Sequence, residues 1–282
     1  MAWMQDMDNP PPIVTRFAPS PNGAMHLGHA YSAIFAHDLA KEAGGEFLLR
    51  IEDIDGARSR AELADDFRRN LEWLELEWRE VPAQSTRLDT YAQAASKLVA
   101  RGLLYPCTCT RKQVEAASTG RGEEGFLYPG TCKNKAIDPA QPAALRLDVA
   151  AAMREIGEQV WTDEVAGTLP VDPSGFGDVV IVRKDAPASY HLAVTLDDAA
   201  DRITLVTRGK DLFASTHIHR ILQHLLDLPI PHWHHHELLV DDDGQKLAKR
   251  RGSPALSQRR EAGEDGRLLA EKLRLRKLEG GI

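Results

Sequence analysis

The chemistry of this sequence starts with two histidines set in an unusual frame. In Arg16-Phe-Ala-Pro-Ser-Pro-Asn-Gly-Ala-Met-His-Leu-Gly-His29, the pair His26 and His29 falls where a β-prone run and a proline-bound loop give way to helical spacing. A helix N-terminus presents unpaired backbone N–H groups and partial positive charge, so two imidazoles placed there face one point suited to a triphosphate. Gly28 removes a side chain where a nucleotide approaches the backbone, and the imidazoles can donate to phosphate oxygens that gain charge as pyrophosphate leaves. Packing or surface histidines are the bland reading of such a pair, and the proline-rich frame argues against it. Far downstream, Lys246-Leu-Ala-Lys-Arg250 offers cations. A Lys-x-x-Lys loop alone is a solvated patch; following a second βαβ unit, it reads as a catalytic loop.

These segments resemble the class I aminoacyl-tRNA synthetases. The first looks like their HIGH motif in the Arg-Phe-Ala-Pro-Ser-Pro frame of the glutamyl branch, and Lys246 to Arg250 resembles their KMSKS loop, with Ala248 where serine is usual. Arg50-Ile-Glu-Asp-Ile-Asp55, Tyr190-His-Leu-Ala-Val-Thr-Leu-Asp-Asp198 and Arg208-Gly-Lys-Asp211 match the same branch. The resemblance implies ATP held by His26, Gly28, His29, Lys246 and Lys249, with magnesium, and His26, His29 and Lys249 as the catalytic set. An amino acid with a second carboxylate needs an acid for its ammonium group and guanidinium forks for its carboxylates. Glu52, Arg16 and Arg208 meet those needs; the alternative is that Glu52 and Arg208 merely pair with surface partners. Phe17, Ala18, Pro19, Ser20 and Tyr190 complete the L-glutamate site that the resemblance implies.

Cys107-Thr-Cys109 and Tyr128-Pro-Gly-Thr-Cys132 supply three soft thiolates and a phenol, a tetrahedral shell for a structural zinc. Their spacing resembles the zinc site in the inserted acceptor-binding domain of some glutamyl-type synthetases, with tyrosine as fourth ligand. Three inert thiols beside a packed Tyr128, or a metal completed by water or another residue, are the alternatives. The histidine-rich stretch 232–236 is not assigned to metal, because residues leading into a strand point to alternating faces and no thiolate or carboxylate joins them. Surface or substrate contacts suit it better.

These groups need positioning elements. Ile13 to Phe17, the helix from Leu27 and Glu46 to Ile51 form a β-loop-α-β unit; Ser59 with Glu62 reads as a capping box opening a helix striped by Leu63, Phe67, Leu71 and Leu74. Leu88 to Arg101 reads as another helix, with Gly102 as its stop. Strands are expected at Leu145 to Val149, Asp178 to Arg183, Ile203 to Thr207 and Glu237 to Val240, with a helix carrying Ile218, Ile221, Leu222 and Leu225 between the last two. The fold class is α/β: a doubly wound, Rossmann-like parallel sheet split by an inserted zinc-containing α+β domain. The expected division is residues 1–102 for the first half of the catalytic domain, 103–190 for the insertion, 191–240 for the second half, and 241–282 for the KMSKS-like loop and a short helical segment.

With 282 residues and a net charge of −7, unspecific nucleic-acid binding is disfavoured, although basic clusters can still bind a polyanion locally. No apolar run approaches the roughly 20 residues of a membrane helix, and Met1 to Pro12 lacks the pattern of a secretion signal. A monomeric cytoplasmic protein is expected. After Arg251-Gly-Ser-Pro254, Ala255 to Leu278 suffices for helix packing through Leu268, Leu269, Leu273 and Leu275, with no anticodon-reading module. That short form resembles the branch of the family that makes glutamyl-adenylate and transfers glutamate to the queuosine base in the anticodon of tRNA(Asp). A shortened glutamyl-tRNA synthetase charging the 3′ end of tRNA(Glu), or a catalytically silent tRNA-binding module, are the alternatives.

Overall fold

The structure is a computed structural model, and it describes residues 12–239 and 255–279. Lys246 and Lys249 therefore lie outside the described residues.

The chain begins with β1 (Val14–Phe17), α1 (Leu27–Glu42) and β2 (Glu46–Leu49), the expected βαβ unit, in which β1 and β2 pair parallel from Val14 beside Glu46 to Phe17 beside Leu49. α2 (Ala61–Trp73), β3 (Arg79–Glu80) and α3 (Leu88–Ala100) follow, and Gly102 stops α3 at φ 69°, where glycine alone is unstrained. Next come β4 (Leu104–Cys107), α4 (Arg111–Ala117), the small hairpin β5 (Arg121–Gly122) and β6 (Gly125–Phe126), β7 (Ala144–Leu147), α5 (Val149–Ile156), β8 (Val160–Asp163), β9 (Gly167–Pro170) and β10 (Val180–Val182). The chain then runs through α6 (Tyr190–Ala200), β11 (Leu205–Gly209), α7 (Ser215–Leu225), β12 (His232–His236), α8 (Leu256–Glu261) and α9 (Gly266–Glu279).

Parallel pairing joins β1, β2 and β3 in one group and β11, β12 and β8 in another. The two groups meet at β1 and β11. Thr204 N–H donates to Val14 O at 3.1 Å, and the Thr204 hydroxyl accepts from Val14 N–H at 2.8 Å. Residues along β2 alternate between two hydrophobic clusters: Leu48 joins the core of α3, α6 and α7, while Phe47 and Leu49 join that of α1, α2 and α9. Both faces are thus covered, as a parallel sheet requires, and full burial of a residue such as Leu48 contributes about 2 kcal/mol. No described helix is long and apolar enough to cross a membrane.

Three expectations change. The helix expected to open on a Ser59–Glu62 box instead has Arg60 at its N-cap with no side-chain cap, and the buried Ser59 hydroxyl has no partner. No strand is found at residues 237–239 of the one expected at Glu237 to Val240, and Val240 lies outside the described residues; the strand is the histidine run itself, His232–His236, paired along its whole length with β11. Within residues 103–190, β4, β7 and β10 form a separate antiparallel sheet, whereas β8 hydrogen-bonds to β12 in the main sheet. At the C-terminal end, Leu269, Ala270 and Leu273 of α9 pack inward but Leu268 and Leu275 are exposed. α9 can lie this close because it starts at Gly266, where an added Cβ would fall 2.0 Å from Trp73 O.

Candidate active site

The C-terminal ends of β1, β2, β11 and β12 open on one cavity of about 640 Å³. Arg16 to Ser20 enter it from the end of β1, Glu52 from beyond β2, His26, Gly28 and His29 from the start of α1, Tyr190 from the start of α6, and Arg208 from β11. Ligands in open α/β sheets sit at this edge, where strand ends and helix N-termini converge. Every site residue expected from sequence for glutamate and ATP thus lines one wall or another, apart from Lys246 and Lys249 outside the described residues.

The histidines are fixed by the helix they begin. His26 is the N-cap of α1, its Nδ1 accepting from Gly28 N–H at 3.1 Å, while His29 Nδ1 accepts from His26 N–H at 3.4 Å. The rings stack with centroids 3.9 Å apart. A Cβ on Gly28 would come within 3.2 Å of the His26 ring, so glycine lets that ring fold over the first turn.

Arginines and acids form a buried network that holds the lining residues Arg16 and Glu52. Arg16 takes a bidentate grip on Asp198, at 2.9 and 3.2 Å, and donates to Thr207 O at 2.9 Å. Arg50, fully buried, bonds Asp198 at 2.8 Å, Asp201 at 2.9 Å and Glu52 at 3.4 Å. Burial pushes the Glu52 carboxyl up to about 7, with Arg50 and Arg16 pulling the other way.

Arg208 differs from both. Its Nε donates to His235 Nε2 at 3.1 Å, and its terminal nitrogens reach the Tyr190 hydroxyl at 3.2 Å, His219 Nδ1 at 3.2 Å and the Thr216 hydroxyl at 2.5 Å. All of these partners are neutral. Burial pushes His235 down to about 4, reinforced by the Arg208 charge, and pushes His219 well below the usual imidazole range for the same two reasons. Among the described residues no carboxylate is hydrogen-bonded to Arg208, and burial lowers the pKa of the guanidinium itself. A buried cation without an anionic partner is expensive unless a ligand brings the anion.

The family model for the catalytic domain of class I tRNA synthetases (E and Q) matches residues 12–279. The chain belongs to this family. It is 46% identical over 270 residues to the glutamyl-Q tRNA(Asp) synthetase of Rhodobacter capsulatus, covering 89% of this chain and 96% of the relative. The glutamate–tRNA ligase of Oleidesulfovibrio alaskensis is 39% identical over 89% of this chain but only 54% of its own length. The crystal structure of the glutamate tRNA ligase from Elizabethkingia meningosepticum in complex with its amino acid superposes with a TM-score of 0.71 at 25% identity, over 86% of this chain and 53% of that one.

In this class I catalytic domain, several further residues line or support the cavity. Asp198 and Arg50 stand in the family-like segments 190–198 and 50–55, where nothing in their spacing announces the pairing with Arg16 and Glu52. His236 lines the cavity with its Nε2 3.1 Å from the Ser32 hydroxyl, and His235 is held from behind by Asp163 at 2.7 Å. The histidine run was the available signal for both.

The sulfurs of Cys107, Cys109 and Cys132 lie within 4.8 Å of one another, in a small cluster that also buries Tyr128. Cys109 and Cys132 Sγ are 3.5 Å apart, and the Tyr128 hydroxyl oxygen lies 3.3 Å from Cys107 Sγ and 3.9 Å from Cys109 Sγ. Zinc–sulfur bonds of about 2.3 Å in a tetrahedron put ligand atoms about 3.8 Å apart, so these separations fit a shared ion. Burial acts to raise the Cys132 thiol, but bonds from the Tyr128 hydroxyl, the Thr108 backbone and the other thiols bring it down to about 6, toward the anionic form a metal takes. The same oxygen also accepts from Cys132 N–H at 2.8 Å, so the turn 128–132 is built around it.

Proposed function

We propose that this chain activates L-glutamate with ATP and magnesium as glutamyl-adenylate and transfers the glutamate to the queuosine base in the anticodon of tRNA(Asp). One observation carries the amino-acid assignment: Arg208 holds a buried positive charge in the same cavity as the histidine pair at the start of α1, and its hydrogen-bond partners among the described residues are all neutral. The side-chain carboxylate of glutamate is the anion that fits. Glu52 takes its ammonium group, and Ser20 and Tyr190 add neutral hydrogen bonds. The α-carboxylate oxygen then attacks the α-phosphorus of ATP in line; the bond to the β-phosphate oxygen breaks and pyrophosphate leaves. His26 and His29, with Lys246 and Lys249 of the sequence segment that resembles the KMSKS motif, stabilise the negative charge gathering on the leaving oxygens. Attack of the acceptor on the glutamyl carbonyl releases AMP.

The acceptor assignment rests on the relatives. Those named glutamyl-Q tRNA(Asp) synthetase match over most of their own length, 96% in R. capsulatus and 87% in Deinococcus radiodurans, whereas the glutamate–tRNA ligases match over about half of theirs. The test is transfer of labelled glutamate to tRNA(Asp) with and without queuosine, beside tRNA(Glu), followed by digestion to nucleosides. Label on queuosine is expected. Label on the terminal adenosine of tRNA(Glu), with none on queuosine, would decide for an ordinary glutamyl-tRNA synthetase.

The same reading gives Cys107, Cys109, Tyr128 and Cys132 one structural zinc in an inserted domain spanning residues 103–190. Such an ion would tie the end of β4 to the turn 128–132 and supply no chemistry to adenylation. Protein purified without chelator is expected to carry about one zinc per chain, and Cys132→Ser to lose most of it. Metal analysis showing no zinc in the wild-type protein would remove this part of the proposal.

A further inference from the structure

Arg208 is held from behind by two imidazole chains, each ending on a carboxylate. The short one runs from Arg208 Nε–H to His235 Nε2 at 3.1 Å and from His235 Nδ1–H to Asp163 at 2.7 Å. The long one runs from Arg208 to His219 Nδ1 at 3.2 Å, from His219 Nε2 to His191 Nδ1 at 3.2 Å, and from His191 Nε2 to Glu124 at 3.0 Å. Because a guanidinium only donates, His219 Nδ1 must accept, so its Nε2 carries the hydrogen and His191 must in turn accept on Nδ1 and donate from Nε2. One direction of donation therefore runs without a break from Arg208 to the carboxylate. Glu124 stands in the turn of the β5–β6 hairpin, outside the main sheet, and Ser215 at the start of α7 donates a further bond to it at 3.2 Å.

We propose that Glu124 is a positioning residue for glutamate recognition, acting on Arg208 through His191 and His219. This deepens the glutamate reading above and rests on it. The physical reason lies in what a direct carboxylate would do. Placed against Arg208, it would stabilise the guanidinium but occupy the fork that the substrate carboxylate needs. Two imidazoles in series deliver the counter-charge at a distance and hold the orientation of the fork, while leaving a donor edge for the ligand. His219 must stay neutral for this, since an imidazolium has no lone pair to offer Arg208 and adds a like charge; its full burial beside the guanidinium enforces neutrality. Glu124 itself is about half exposed, with 48% of its side chain open, so it can be changed without opening the core.

The experiment is glutamate-dependent ATP–pyrophosphate exchange by wild type, Glu124→Gln, His219→Asn and the double variant, with thermal unfolding as a control for folding. Glu124→Gln removes the charge at the end of the chain and keeps an acceptor. It is expected to raise KM for glutamate about fivefold while leaving KM for ATP and kcat within about twofold. In the His219→Asn background, where the chain is already cut, the same substitution is expected to change KM for glutamate by less than about twofold. Should His219→Asn not fold, His191→Asn cuts the chain one link further out and serves the same purpose. An unchanged KM in Glu124→Gln, or an increase that adds in full to that of the cut background, would overturn the inference while leaving glutamate activation standing. Absence of glutamate-dependent exchange in the wild-type protein would overturn the functional reading and this inference with it.

Discussion

Replacing Arg208 by alanine is expected to lower kcat/KM for glutamate in ATP–pyrophosphate exchange about 100- to 1000-fold, mostly through glutamate binding. The estimate follows from the cost of removing one partner of a buried, charge-assisted pair, about 3–4 kcal/mol, with tenfold in rate or affinity for each 1.4 kcal/mol. The setting of Arg208 argues for the upper part of that range. Its four hydrogen-bond partners among the described residues are all neutral, and burial disfavours its charge, so a bound carboxylate supplies a direct counter-charge. Arg208→Lys keeps the charge but not the planar fork, and is expected to recover only a small part of the loss. A second measurement separates binding from folding. Glutamate should raise the unfolding temperature of the wild-type protein but not that of Arg208→Ala. Equal apparent glutamate affinity in wild type and Arg208→Ala would move recognition of the second carboxylate to Arg16 or elsewhere in the cavity.

The other large effect is expected at His29. With Nδ1 accepting from His26 N–H, the neutral ring carries its hydrogen on Nε2, and His26 is locked the same way by Gly28 N–H. Two oriented donors at a helix N-terminus match charge that appears only as the bond to pyrophosphate breaks. Removing one donor of that kind costs about 100- to 1000-fold in kcat in other enzymes, and His29→Ala is expected to lose as much in exchange. Glutamate binding should change by no more than about twofold, because the proposed site assigns the glutamate side chain to Arg208 instead. Lys249→Ala, in the loop assigned from sequence, should show the same kinetic pattern. Titration calorimetry of glutamate beside exchange rates checks both. A variant that keeps its exchange rate would place the phosphates away from the start of α1.

The kinetic split between these two predictions mirrors a division between what was legible in the sequence and what was not. The proline-rich loop, the histidine pair and the Cys-x-Cys with its downstream Tyr-x-x-x-Cys could be read directly, because each is local: within a few residues, backbone restriction, a cap or a tight turn sets where side chains go. Arg16, Glu52, Tyr190 and Arg208 could be read as ligand groups because they end strands or begin helices on one edge of a parallel sheet, and topology brings those ends together. What surrounds them could not. Asp198 serves Arg16 and Arg50 from 182 and 148 residues away, and Asp163 reaches His235 across 72. Such partners are chosen by register and packing, which no spacing records. The histidine run shows the same limit from the other side. Strands buried on both faces normally read as apolar, so a run of imidazoles looked like a lead-in to a strand. It is the strand itself, because β8 and β11 flank it, Asp163 takes a hydrogen from His235, and each buried ring is neutral with a partner. Sequence alone singled out the groups expected to bind glutamate and ATP, and those among the described residues line one cavity at the strand ends; only the tertiary structure decided that no carboxylate among the described residues hydrogen-bonds Arg208, since that depends on the neutral side chains brought against it from α6, α7 and β12.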